Sequence, residues 1–218
     1  GCRSGEDRGS GGTKTVLFGR GGRVAASATV EYALYQERNG WAEQDPLDWW
    51  NADCQTLGEV MGQSGVDPGE VKGVGLSGQM HGLVMLDGEG RVLRPSILWC
   101  DGRTGRECKE ITELVGKERL IQLTANPALP GFTAGKILWV RRHEPELYAK
   151  CRHILLPKDY LRYKLTGEFA TEVSDASGMN LLAAVPYTHL TLPTQADAWY
   201  LGCPVSSVNT TRHRLAAT

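Results

Sequence analysis

Where the apolar residues fall constrains this chain more than any other feature. From Lys14 to Cys100 they come in short runs, each stopped by a loop rich in glycine, and beyond Arg103 they recur mostly at helical spacing. Lys14-Thr15-Val16-Leu17-Phe18 and Val24–Val30 flank Gly19-Arg20-Gly21-Gly22, which reads as two strands joined by a tight turn. Asp45-Pro46 opens a helix, with Asp45 as N-cap and Pro46 at the first helical position. That helix is expected to bury Trp49, Trp50, Cys54, Leu57, Val60 and Met61. Val71–Ser77 reads as a buried strand. Leu83–Leu86 and Val92-Leu93 read as a hairpin around Asp87-Gly88-Glu89-Gly90, and Ile97–Cys100 as a third short apolar run. Helices are expected over 103–115, 119–124, 134–143 and 157–165. Strands first, with helices interleaved and then dominant, specify a mixed α/β layered domain.

Bulk properties narrow the function classes. A length of 218 residues with 41% hydrophobic residues supports one well-packed domain of ordinary size, or two small ones. A formal net charge of −1 gives no electrostatic reason to expect a nucleic-acid or acidic-membrane partner. No apolar run approaches the roughly 20 residues needed to cross a bilayer. The start Gly1-Cys2-Arg3-Ser4 resembles no targeting segment, so the default expectation is a cytoplasmic protein. The six cysteines lack metal-ligand spacing and are expected to be reduced and structural. From Pro186 to Thr218 neither a period of 2 nor one of 3.6 is sustained; this stretch is set apart as an unassigned tail, disordered or foreign sequence.

Three segments carry chemistry. In the run from Asp7 to Lys14, Gly9, Gly11 and Gly12 let backbone N–H groups approach phosphate oxygens, and Ser10 and Thr13 add hydroxyl donors. Asp7 is placed to hold a hydrated Mg²⁺ beside them. The spacing is neither that of a Walker loop nor that of the dinucleotide fingerprint, and the same residues also suit a plain turn. In Ser77-Gly78-Gln79-Met80-His81-Gly82, Gln79 and His81 can bond the hydroxyls of a polyol while Met80 packs on its carbon skeleton. The competing reading is a satisfied histidine in a tight turn. Trp99-Cys100-Asp101-Gly102-Arg103-Thr104 gathers an aromatic face, a carboxylate and a guanidinium. Either Asp101 contacts substrate, or Trp99 is core, Asp101 caps the next helix and Arg103 is a solvated partner.

Taken together these segments resemble the FGGY family of carbohydrate kinases, and within it the xylulokinases. Asp7–Lys14 is similar to the family's first phosphate motif, Ser77–Gly82 to the xylulokinase sugar loop, and Trp99–Thr104 to its W-x-D-x-R-T stretch. Thr124–Pro127, Gly131–Lys136, Leu156–Leu161, Thr166–Glu168 and Ser174–Gly178 extend the likeness, so that it covers about residues 5–182. The resemblance implies the amino-terminal, ribonuclease-H-like (actin/hexokinase-type) sugar-binding domain. It also implies transfer of the ATP γ-phosphoryl to D-xylulose with Mg²⁺, the other expectations being ribulose, gluconate, glycerol or fuculose as substrate, or a non-catalytic sugar-binding module. On this reading Met80, His81, Gln79 and Asp101 hold the sugar. Asp7, Gly9, Ser10 and Thr13 hold the phosphates, with Asp7 also reaching the metal through water. The catalytic base is expected in a second domain outside these 218 residues, leaving the isolated chain inactive, and the complete enzyme is expected to form homodimers.

Overall fold

The computed structural model describes residues 11–182. It opens with an antiparallel hairpin of β1 (Gly12–Phe18) and β2 (Val24–Glu31), in register from Gly12 opposite Glu31 to Leu17 opposite Ala26. Helix α1 (Pro46–Ser64) lies on one face of it. Alternation puts the small Ala26 and Ala28 on that face beside Leu17, so the helix approaches closely enough to bury Val60 among them. The Thr15 and Thr56 hydroxyls meet at 2.7 Å. Asp45 caps α1 by accepting from the Leu47 N–H, Pro46 occupies its first turn, and Gly65 ends it in the left-handed region.

The second unit is built on β4 (Val84–Leu86), whose residues are completely buried. Val84 and Leu86 face a core with Ala42, Trp49, Leu98, Leu155 and Tyr160. Leu83 and Met85 face the opposite core with Ile97, Trp139, Val140 and Cys151. A period-two strand covered on both faces carries apolar residues at every position, as Leu83–Leu86 does. β4 pairs antiparallel with β6 (His153–Leu155). A bridge from Leu83 to Ile97 connects it to β5 (Ser96–Ile97), which pairs with β3 (Glu43–Gln44). The bridge from Leu86 to Val92 closes the expected turn at Asp87–Gly90.

Helices α2 (Gly105–Val115), α3 (Lys117–Thr124) and α4 (Thr133–His143) follow, and α4 supplies Trp139 and Val140 to the second core. The short α5 (Pro145–Lys150) leads into β6. Then α6 (Pro157–Thr166) contributes Tyr160 to the first core, and α7 (Val173–Ala176) runs into a 3₁₀ turn over Ser177–Met179. Ala176 and Met179 pack on Leu156, so the last described segment folds back onto the start of α6.

Three sequence expectations need correction. Val71–Ser77 is not a strand: it is irregular, with Val74 at 65% exposure. No described strand pairs with it, and unpaired backbone groups are accommodated only where water reaches them. The buried stripe of α1 runs through Pro46, Trp49, Ala52, Asp53, Thr56 and Val60, which turns Cys54 outward. In the Trp99–Thr104 segment Trp99 is 54% exposed, whereas the Arg103 side chain is 1% exposed. Asp101 does not cap α2; Thr104 is the residue at that position and makes no side-chain cap bond. The tail at 186–218 and the residues Asp7, Gly9 and Ser10 lie outside the described residues.

Candidate sugar-binding site

Met80 and His81 emerge from the irregular segment just before Leu83, at the mouth of a cavity of about 490 Å³. His81 has φ of 63°, a left-handed conformation that a histidine adopts only at a cost. The Gly82 N–H donates back to the Met80 carbonyl at 2.8 Å, closing a three-residue turn around it. Turns of this kind with a positive central φ are rare and strained. The surroundings over-determine the shape: the His81 carbonyl accepts from Lys136 Nζ at 2.8 Å and from the Thr133 hydroxyl at 3.1 Å. Gly82 must be glycine, since a Cβ there would lie 2.7 Å from Cγ of Pro157 at the start of α6.

Lys136 is fully buried and donates also to the Gly131 carbonyl at 2.7 Å. Burial pulls its pKa down to about 7, against the upward pull of Asp101. The His81 imidazole is also pushed below its usual range, first by burial and then by Lys136, while Asp175 opposes both. A neutral ring near pH 7 has one donor and one acceptor nitrogen. Phe132 meets the ring edge-on at 4.7 Å, and buried Nδ1 lies beside Gly178 without a hydrogen bond of normal geometry. A Cβ on Gly178 would fall 2.0 Å from the His81 ring. Glycine is therefore the residue that lets the 172–178 segment close over the histidine.

The rest of the cavity comes from segments far away in sequence. Asn126 reaches across to the Ser177 carbonyl at 3.2 Å, and Asn180 Nδ2 bonds the Thr124 hydroxyl and the Asn126 and Pro127 carbonyls at 3.3 to 3.4 Å. These bonds tie 124–127 to 177–180. Lys158, Glu172 and Asp175 complete the polar wall. Glu172 accepts from the Ser174 and Asp175 N–H groups and pairs with Lys158; bonding by Ser174, followed by the lysine, holds its carboxyl down at about 2. Met80, although apolar, is 54% exposed at this cavity.

The other sequence candidates lie elsewhere. Gln79 turns from the cavity and donates to Gln44 Oε1 at 2.9 Å; that oxygen also accepts from Trp49 Nε1 at 3.1 Å. Gln44, which no sequence motif singles out, thus ties the Ser77–Gly82 loop to the start of α1. Gly11 packs against the same side chain. Thr13 sits on β1 opposite Val30 and does not line the cavity. Asp101 does not line it either and is buried: Oδ1 accepts from the Arg103 backbone N–H and Nε, and Oδ2 from the Ala42 N–H and Arg103 Nη2. Among the described residues no three His, Cys, Asp or Glu side chains converge as metal ligands, and Asp7 is not among those residues.

An α/β domain that presents a strained Met-His turn to an open, mixed polar and apolar cavity has the makings of a small-polyol binder. Comparison with known proteins gives the class a family. Residues 4–185 match the FGGY family of carbohydrate kinases, N-terminal domain. The chain is 46% identical over 178 residues to the xylulose kinase of Bacillus subtilis (strain 168), covering 82% of this chain and 36% of that protein. It is 45% identical over 174 residues to the xylulose kinase of Escherichia coli (strain K12), covering 80% and 35%. The crystal structure of a xyloylose kinase from Brucella ovis superposes with a TM-score of 0.73 at 40% identity, covering 78% of this chain and 35% of that one. The chain belongs to the FGGY family of carbohydrate kinases, with the actin/hexokinase-type, ribonuclease-H-like fold of its amino-terminal domain. It spans about a third of the length of these relatives.

Proposed function

We propose that this chain is the sugar-binding portion of an ATP-dependent xylulose kinase that forms D-xylulose 5-phosphate. The observation that carries the reading is the 40–46% identity to curated xylulose kinases, several of which match across about 80% of the chain. The Met80–His81 cavity supports it chemically. A thioether at the mouth suits the carbon skeleton of an open-chain ketose, and a neutral imidazole can donate to or accept from its hydroxyls. His81 is the orienting group: its backbone is fixed by Lys136 and Thr133, and its ring by Phe132 and Gly178. Holding the ketose in one pose is most of what a phosphoryl-transfer site must do, since little of its catalysis is covalent chemistry.

ATP and Mg²⁺ belong to the same proposal. Gly9, Ser10 and Thr13 would hold the phosphates, and the Asp7 carboxylate would hold the metal through water; the bound metal would neutralise phosphate charge. Gln79 and Asp101 act in this account by supporting the site, through Gln44 and Arg103 respectively. The base that takes the ketose hydroxyl proton is assigned to sequence outside these residues, and cytoplasmic localisation and homodimerisation belong to the complete enzyme. The test is ATP-dependent phosphorylation of D-xylulose by this chain and, in parallel, by a protein extended to the length of its relatives. Activity confined to the longer protein is expected. Turnover by the 218-residue chain would place the base within it, and a longer protein active only on another polyol would move the assignment elsewhere in the family.

A further inference from the structure

We propose that Lys158 and Asp175 form the second wall of the Met80–His81 cavity and recognise the hydroxyls of the bound ketose, selecting between its epimers. The inference rests on the ketose kinase reading and adds to it two recognition residues with a defined role.

Both side chains line the cavity and neither is fully exposed, at 20% for Lys158 and 10% for Asp175. The ammonium is anchored on its other side by Glu172 at 3.0 Å, whereas its distance to Asp175 Oδ2 is 3.4 Å. The contact to Oδ2 is long, and a carboxylate carries lone pairs on both oxygens, so the pairing leaves Asp175 able to accept from a ligand. A hydroxyl can therefore donate to the carboxylate, and a neighbouring one can accept from the ammonium. A vicinal diol offers both at once.

The wall is also fixed in place. A Cβ on Gly78 would stand 3.3 Å from Cβ of Lys158 and 3.5 Å from its backbone, so the loop carrying Met80 and His81 rests directly on the start of α6. At the other end Gly178, three residues after Asp175, lies flat against the His81 ring. The two walls thus hold a set separation, which a site needs if it is to distinguish hydroxyl configurations rather than merely bind polyols.

The experiment compares D-xylulose with its C3 epimer D-ribulose in a protein of relative length, using the parent, Asp175→Asn and Lys158→Arg. Asp175→Asn is expected to raise the KM for D-xylulose about tenfold or more and leave the KM for ATP unchanged. Lys158→Arg keeps the charge beside Glu172 but relocates its donors; it is expected to change the ratio of kcat/KM between the epimers. A purely structural role would lower melting temperature and both sugars' kcat/KM in parallel, which would overturn the proposal. So would unchanged KM and epimer ratio in both variants when the parent phosphorylates D-xylulose. A parent inactive on every ketose would instead strike the underlying kinase reading, and this inference with it.

Discussion

Two regions of the molecule, both built from sequence motifs with polar and aromatic residues, are made in opposite ways. Around Arg103 every charge has an opposite partner, although Arg94 Nη1 is buried without a hydrogen bond. The Arg103 guanidinium hydrogen-bonds Asp101 at 2.7 Å, forms an ion pair with Glu43 at 2.7 Å, and lies 3.7 Å over the Trp41 ring and 4.9 Å from that of Trp139. Arg94 shares Glu43 and adds Glu144, each at 2.7 Å. Around His81 the backbone is strained, one ring nitrogen lacks a normal hydrogen bond, and an apolar Met80 stands exposed. The knot at Arg103 holds the fold; the turn at His81 spends stability to keep groups available. Polar residues in a motif are thus not evidence of ligand contact until their own partners have been counted.

The largest expected effect lies in the knot. Arg103→Met leaves the buried Asp101 carboxylate without its charge partner and Glu43 with Arg94 alone, and should cost about 3–5 kcal/mol. Urea denaturation is the check, and a loss below about 1 kcal/mol would erase the contrast. Next comes Gly178→Ala, whose methyl group would meet the His81 ring. A forced shift of this sort costs roughly 1–3 kcal/mol and should displace the histidine, weakening ketose binding more than thermal stability.

A third expectation concerns pH. The folded-state pKa of Lys136, about 7, lies below its ordinary value of 10.5. Between those values the unfolded chain binds more protons than the folded one. The contribution of Lys136 to stability should therefore rise with pH, by up to about 1.4 kcal/mol per unit. It is fully present above 10.5 and lost as the pH falls to 7 and below. Urea midpoints at pH 7, 8 and 9 should show this slope in the parent relative to Lys136→Met. The smallest effect has the opposite sign from most substitutions: His81→Asn should stabilise the fold by at most about 1 kcal/mol, because asparagine tolerates the left-handed region better. A clear destabilisation in melting experiments would mean that the ring contributes more by packing than its backbone loses to strain.

The sequence made the first hairpin, the capped start of α1 and the helices α4 and α6 legible, because turn chemistry, caps and apolar spacing are local signals. It did not reveal β6 or α7, which run for three and four residues, too short to establish a period. Val71–Ser77 shows the converse failure. Its composition suits a buried strand, but pairing is a property of neighbours and no described strand supplies them. In the site, Met80 and His81 stood out by residue type between glycines. Lys158 and Asp175 appeared only within matching stretches, and Asn126 joined them through bonds to a segment about fifty residues away. Arg103 was the instructive misreading: Trp99, its sequence neighbour, points to solvent, and its aromatic partners come from positions 41 and 139.

The proposed ketose site is the turn at Met80–His81, with the Arg103 knot only supporting it. The most direct measurement is the KM for D-xylulose of His81→Asn in a protein of relative length, taken below the melting temperature of both variant and parent. A rise of about tenfold or more with the fold intact is expected. An unchanged KM in a properly folded variant would contradict it and place ketose recognition outside this cavity.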